Sequence, residues 1–139
     1  MEGCIFCRIA KGEMPCNKIY EDDDVIAFLD INPINEGHTL VVPKKHFDKF
    51  SETDDQELEI LIKAVKKIAN AIKVAMNADG YNIGVNNERV AGQLVYHVHF
   101  HIIPRFDGDA LENWKGKNVS SNELKQTCEE IKKVISFSY

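Results

Sequence analysis

A chain of 139 residues, 44% hydrophobic and 28% charged, has the size and composition of one globular domain with a core that needs no disulfide support. Its formal charge of −5 and lack of a dense Lys/Arg stripe argue against extended binding to nucleic acid, although a mononucleotide stays compatible. No apolar run is long enough to span a bilayer, so no membrane association is expected, and Met1-Glu2-Gly3-Cys4 lacks the pattern of a secretory signal, which makes the cytoplasm the expected location.

Cys4-Ile5-Phe6-Cys7 opens the chain. With no export signal, this spacing suits thiols kept reduced or a metal site better than a disulfide framework. Cys16 and Cys128 read as ordinary small apolar residues. Residues 18–30 give two β-rich runs around an acidic turn at Asp22 to Asp24, a hairpin signal. The stretch Asn32-Pro33-Ile34-Asn35-Glu36-Gly37 breaks the chain, and His38 to Val42 form a third strand that stops near Pro43.

From Thr53 to Asn77, the apolar residues Leu58, Leu61, Val65, Ile68, Ile72 and Ala75 recur at helical spacing. Thr53 and Gln56 are spaced as a capping box, and Asp79-Gly80 is expected to end the helix. A second face with Ile60, Ala64, Ala71 and Met76 is left over, which suits a partner subunit. Alternation at Tyr81, Ile83 and Val85 predicts a fourth strand, followed by a polar, Gly-containing loop from Asn86 to Leu94. A fifth strand is expected from Val95 to Ile103. Residues 107–119 are polar and unpatterned, and a last helix from Ser121 carries Leu124, Cys128, Ile131 and Ile135 on one face, with Ser120 and Glu123 spaced to cap it. The expected organisation is a single domain over 1–139, with 107–139 as a C-terminal extension, in the α+β class: an antiparallel five-stranded sheet with one long and one C-terminal helix.

The fifth strand carries the chemistry. Strand alternation sets His97, His99 and His101 on one face, about 6 to 7 Å apart, and Tyr96, Val98, Phe100 and Ile102 on the other as a core stripe. A core has no use for three adjacent imidazoles. Imidazole, with an ordinary pKa of about 6.5, is largely neutral and nucleophilic at cytosolic pH. It attacks through one nitrogen when the other is tied to an acceptor. Two readings follow: nucleophilic catalysis at the middle histidine, or a metallohydrolase in which the three histidines bind one ion.

The run His97-Val98-His99-Phe100-His101-Ile102-Ile103, with Gly92-Gln93 before it and Pro104-Arg105 after it, resembles the signature of the histidine triad family. The resemblance extends from Cys4 to Arg105 through Phe28-Leu29-Asp30-Ile31-Asn32-Pro33 and Gly37-His38-Thr39-Leu40-Val41-Val42-Pro43-Lys44-Lys45-His46. It implies a homodimer with the sheet continued across both subunits, and hydrolysis of a purine nucleotide conjugate of AMP or GMP type through a covalent nucleotidyl-histidine.

By the same resemblance His99 matches the nucleophile, His101 the histidine on the phosphate, and His38 a further supporting histidine. Phe6, Ile9, Phe28, Ile31 and Leu40 match the slot for the base, and Asp30 the acid on the ribose hydroxyls. Asn86, Gln93 and Leu94 fall among the nucleotide-contacting positions. Leu94 departs from the serine of the phosphoramidase branch and cannot donate a side-chain hydrogen bond, which keeps open a weakly catalytic nucleotide-binding or scaffold protein. Cys4, Cys7, His46 and His97 match the ligands of a structural zinc, with no metal needed for the chemistry itself.

Overall fold

The computed structural model describes residues 2–138. The chain divides into a first compact unit that ends at Asp109 and a second that begins at Ala110. The first holds a short helix α1 (Ile5–Ala10), strands β1 (Lys18–Glu21), β2 (Val25–Leu29) and β3 (Thr39–Pro43), the long helix α2 (Asp55–Ala75), and strands β4 (Gly80–Val85) and β5 (Phe100–Arg105). The five strands form one antiparallel sheet in the order β1-β2-β3-β5-β4. The second unit carries helix α3 (Ser121–Ser138), opened by the expected capping box: Ser120 Oγ accepts from the Glu123 N–H at 3.2 Å, and Glu123 Oε2 accepts from the Ser120 N–H at 3.0 Å.

Alternation in the central strands makes two cores. Val25, Ala27, Val41, Phe100 and Ile102 point at Leu61, Ala64, Val65, Ile68, Ala69 and Ile72 of α2. Ile26, Phe28, Leu40 and Val42 point the other way, against Phe6 and Ile9 of α1. Both faces are therefore apolar, which is why β2 and β3 read as continuous hydrophobic runs. Leu40 lies opposite His101, so His101 joins the α1 face and Phe100 and Ile102 the α2 face.

The structure corrects several expectations. The chain enters β5 only at Phe100, because residues 95–99 leave the ladder: the Val98 N–H donates to Phe47 O at 2.7 Å instead of to a neighbouring strand. Of the three histidines only His101 lies in the strand, and Tyr96, 44% exposed, is no core residue. Helix α2 begins at Asp55 after Asp54, without a side-chain cap. The Thr53 hydroxyl turns back to donate to Lys49 O at 2.9 Å. The helix is ended by Asn77, not by Asp79-Gly80: its backbone is left-handed at φ 51°, and the Ala78 N–H reaches back to Lys73 O at 3.0 Å. Nor is most of the second helix face free, since Ala64 is in the core and Ile60 and Met76 pack against it; of the four residues Ala71 is exposed.

Ile102 is fully buried between α2 and the sheet, whereas its neighbour Ile103 is half-buried on the other face. Ile102→Ala is expected to cost about 2 to 5 kcal/mol and Ile103→Ala clearly less, as measured by urea denaturation. Equal losses would contradict this division of the faces.

Candidate active site and metal centre

Two clusters lie side by side on the α1 face, joined by His97. In the first, four ligand atoms from Cys4, Cys7, His46 and His97 lie within 4.8 Å of one another. Cys4 caps α1 with its thiol, accepting the Cys7 N–H at 3.4 Å, so the CxxC spacing turns both sulfurs to one side. Cys7 Sγ lies 3.2 Å from His46 Nδ1 and 3.5 Å from His97 Nδ1, and Cys4 Sγ lies 3.4 Å from His97 Nδ1. The outer nitrogens fix both rings. His97 Nε2–H donates to Pro43 O at 2.7 Å and His46 Nε2 meets Asp48 Oδ1 at 2.7 Å.

With those protons outward, two Nδ1 lone pairs face each other 3.2 Å apart, with thiols beside them. As thiols the two cysteines donate only weakly to these lone pairs, whereas as thiolates around a cation all four groups become ligands. Tetrahedral zinc with Zn–S near 2.3 Å and Zn–N near 2.0 to 2.1 Å separates its ligands by about 3.3 to 3.8 Å. The two-sulfur, two-nitrogen donor set and its spacing therefore fit zinc closely. The outward N–H bonds are the supports that metal-bound histidines require.

In the second cluster, hydrogen bonds assign every tautomer in turn. The Ile34 N–H donates to His38 Nδ1 at 3.1 Å, so the proton of His38 is on Nε2. That N–H donates to His101 Nδ1 at 2.9 Å, which leaves the proton of His101 on Nε2. His101 Nε2 is buried and has no partner among the described residues. Separately, His99 Nδ1–H donates to the backbone carbonyl of His97 at 2.7 Å, leaving the Nε2 lone pair unengaged. The His99 and His101 rings are 5.0 Å apart. A nucleophilic nitrogen and a hydrogen-bond donor thus stand next to each other without partners among the described residues, the pair that attack on a phosphorus and stabilisation of its oxygens require.

Burial keeps these rings neutral. It lowers the pKa of His101 to about 4, with the neighbouring His99 and His38 adding to the shift. His99 and His38 are also lowered by burial, opposed in His99 by its bond to the His97 carbonyl and in both by the charge of Asp30. The same cause takes His97 to about 4.

The remaining site candidates are placed unevenly. Phe6, Ile9, Phe28 and Leu40 are buried together, with the Phe6 ring edge-on to His99 at 5.0 Å and to Phe28 at 5.5 Å. Asp30 caps the following turn, Oδ1 accepting the Asn32 N–H at 2.8 Å, and its Oδ2 is 3.7 Å from His38 Nε2. Ile31 and Leu94 are each 85% exposed. Asn86 follows Val85, the last residue of β4, which pairs with Phe100, the first of β5. Gln93 is buried, hydrogen-bonded to Glu88 within its loop and to Asp48 O outside it. The three triad histidines do not converge on one point, since His97 Nδ1 faces the cysteines and His99 Nδ1 faces a carbonyl.

Sequence reasoning missed the supports: the Pro43 carbonyl, the Ile34 N–H and Asp48. Only Asp48 had a signal, an acid two residues after a ligand histidine.

A HIT domain model matches residues 11–108. The chain is 56% identical to an uncharacterised HIT-like protein of Methanocaldococcus jannaschii, over 93% of this chain and 98% of that one. It is 42% identical to an adenosine 5'-monophosphoramidase of Schizosaccharomyces pombe, over 92% and 95% of the two chains. Identity is also 42% to an adenylylsulfatase of Arabidopsis thaliana, over 88% of this chain and 61% of that longer one. Among solved structures it is similar to the SMU.412c protein of Streptococcus mutans, with TM-score 0.92 and 43% identity over 97% of this chain and 87% of that one. It is also similar to a Zn-bound histidine triad family protein of Mycobacterium smegmatis, with TM-score 0.76 and 32% identity over 95% and 97%.

The neutral histidines set a pH dependence whose sign follows from His101. Between its ordinary pKa of about 6.5 and its folded value of about 4, the unfolded chain binds a proton that the folded chain refuses. Stability is therefore complete above that window and falls as the pH drops through it, by up to about 1.4 kcal/mol per unit. Denaturation series from pH 7 to 4 should show His101→Gln losing less stability than wild type. Parallel curves would contradict the assignment.

Proposed function

The chain belongs to the histidine triad family, and from that premise we propose that it hydrolyses nucleoside monophosphate conjugates through a nucleotidyl intermediate on His99. The observation that carries this is the bond from His99 Nδ1–H to the His97 carbonyl, which leaves the Nε2 lone pair free beside the unpartnered Nε2–H of His101. His99 Nε2 attacks the α-phosphorus, forming an N–P bond as the bond to the leaving group breaks. His101, neutral and held by His38, donates its N–H to a phosphoryl oxygen. The leaving group departs with the proton that His101 Nε2 passes to it; water then attacks the same phosphorus and returns a proton to His101 Nε2, the N–P bond breaks, and the monophosphate leaves. The family model, together with relatives named as a monophosphoramidase and an adenylylsulfatase, supports nucleotide hydrolysis.

The base slot is Phe6, Ile9, Phe28 and Leu40, with Ile31 at its rim, and Asp30 takes the ribose hydroxyls. A purine nucleotide conjugate of AMP or GMP type is the substrate class. Asn86 and the Leu94 backbone face the phosphate and leaving group. Zinc held by Cys4, Cys7, His46 and His97 is structural, because protein atoms fill all four positions and leave none for water. The donor geometry and the Zn-bound relative support it. Strand β4 lies at one edge of the sheet, which supports continuation of the sheet across a second copy in a homodimer. No helix of the described residues is long and apolar enough to cross a membrane, and the reduced state expected of the cysteines supports a cytoplasmic protein.

His99→Ala should keep AMP affinity within about threefold, since other residues hold base and ribose, while turnover of a fluorogenic adenosine phosphoramidate falls by at least about a thousandfold. Early quenching at neutral or alkaline pH should give one added nucleoside monophosphate on the peptide bearing His99. The mass on another residue, or inversion at a chiral phosphorothioate, would overturn the mechanism. Failure of wild type to turn over any adenosine conjugate would favour the scaffold reading.

Metal analysis should give one zinc per chain. His46→Ala should lose the metal and melting temperature together, because metal binding here is part of folding. Retention of both would remove the zinc site.

A further inference from the structure

Gln93 has a polar side chain that is 1% exposed, in a loop where its neighbours Gly92 and Leu94 are open to solvent. Its amide is fully engaged. Oε1 accepts the Glu88 N–H at 3.1 Å, and Nε2 donates to Asp48 O at 2.6 Å and to Val95 O at 3.2 Å. Both N–H donors are taken, so neither is left for a ligand.

The partners show what this amide holds together. Glu88 lies in the left-handed region at φ 74°, unusual for a side chain of its kind, and its carbonyl also accepts the N–H groups of Ala91 and Gln93 at 3.1 Å each. The loop of residues 86–95 is thus wound around Gln93. On the other side, Asp48 receives the Gln93 bond through its carbonyl and holds His46 Nε2 through its carboxylate at 2.7 Å. The same two segments are joined by the Phe50 N–H on Asn87 Oδ1 at 2.9 Å and by the Lys49–Glu88 ion pair. Both of these are exposed, and exposed pairs hold weakly. Gln93 supplies the buried link.

The loop also shapes the site. Gly92, at φ 96°, leaves room for the Asn86 amide, whose Nδ2 lies 3.3 Å from where a Cβ would stand. Asn86 directly follows Val85, the partner of Phe100 where the sheet ladder stops, and Val95 stands two residues before His97.

We propose that Gln93 is a positioning residue: its buried amide braces the 86–95 loop against the segment carrying His46, and so fixes the phosphate side of the site from the metal side without touching nucleotide. This rests on the hydrolase reading above and departs from a direct nucleotide contact by the Gln93 side chain.

The test is Gln93→Met, which keeps an unbranched side chain of similar length and removes all three hydrogen bonds, with Gln93→Glu as the conservative comparison. Desolvation keeps a buried acid protonated, so the second variant restores one donor and one acceptor. In the metal-loaded full-length protein, Gln93→Met should lower kcat for adenosine phosphoramidate by about tenfold or more and leave AMP affinity within about threefold. Release of zinc to a chelator should be about threefold to tenfold faster, a weaker version of the effect of losing a metal's outer-shell partner. Gln93→Glu should recover part of both.

Wild-type kcat in Gln93→Met would overturn the proposal, as would a fall in AMP affinity that matches the fall in kcat. If wild type itself fails on every conjugate, the hydrolase reading falls, and chelator release alone then decides: an unchanged rate in Gln93→Met overturns the brace as well. If Gln93→Met does not fold, the same measurements on Gln93→Glu decide, with wild-type values in kcat and release counting against the brace.

Discussion

One carbonyl orders the chemistry of this molecule. His97 O accepts the Nδ1–H of His99 at 2.7 Å, and an imidazole so held has only one tautomer, with its basic lone pair on Nε2. The opposite tautomer would point a lone pair at an oxygen. The residue that supplies this carbonyl is itself fixed by its ring, which donates to Pro43 O and turns Nδ1 toward the two cysteines and His46. Backbone and side chain of one residue thus serve two centres. A second link runs through α1, where Phe6 stands between Cys4 and Cys7 in sequence and lays its edge on the His99 ring.

The rest of the site follows from the cost of burying imidazoles. A buried polar atom without a partner is expensive, and native proteins carry few of them. The rings in this cluster are satisfied mostly by backbone: Pro43 O for His97, His97 O for His99, and the Ile34 N–H for His38. His101 Nε2 is the exception among the described residues. That N–H is the donor which the proposed mechanism directs at a phosphoryl oxygen. Burial has a second effect, because it keeps the rings uncharged near neutral pH, the state that the proposed attack by His99 requires.

Much of this was legible in the sequence. The two β-rich runs at 18–30, the strand after His38, the long helical spacing and the alternation at 81–85 are local patterns, and each became the element it predicted, within a residue or two. The CxxC pair and the alternating histidines carry their own signal in residue type and spacing, whereas His46 and His97 were readable as partners of the cysteines only through the family resemblance; the structure brings the four together. What failed depended on partners distant in sequence. Alternation at 95–99 looks like strand, yet Val98 bonds to Phe47, and no local rule announces that exchange. Thr53 and Gln56 satisfy the cap pattern, but a 3-10 turn at Phe50–Glu52 leaves Lys49 O within reach of the Thr53 hydroxyl. Gln93 was read through its place beside the triad. Its burial is a tertiary fact.

The strand order carries a consequence for assembly. The last strand in sequence, β5, is inserted between β3 and β4, so β4 has no neighbour in this sheet until β5 is made. The histidine that joins both clusters lies 93 residues from Cys4, and closing so long a segment carries an entropy cost that local contacts cannot offset early. A chain emerging from the ribosome therefore presents α1, three strands and α2 well before the piece that unites them. Truncation ahead of Phe100 removes an interior strand of the sheet, not an edge. Such fragments would expose open strand edges and apolar surface, so for nascent copies the period before β5 appears is the vulnerable one.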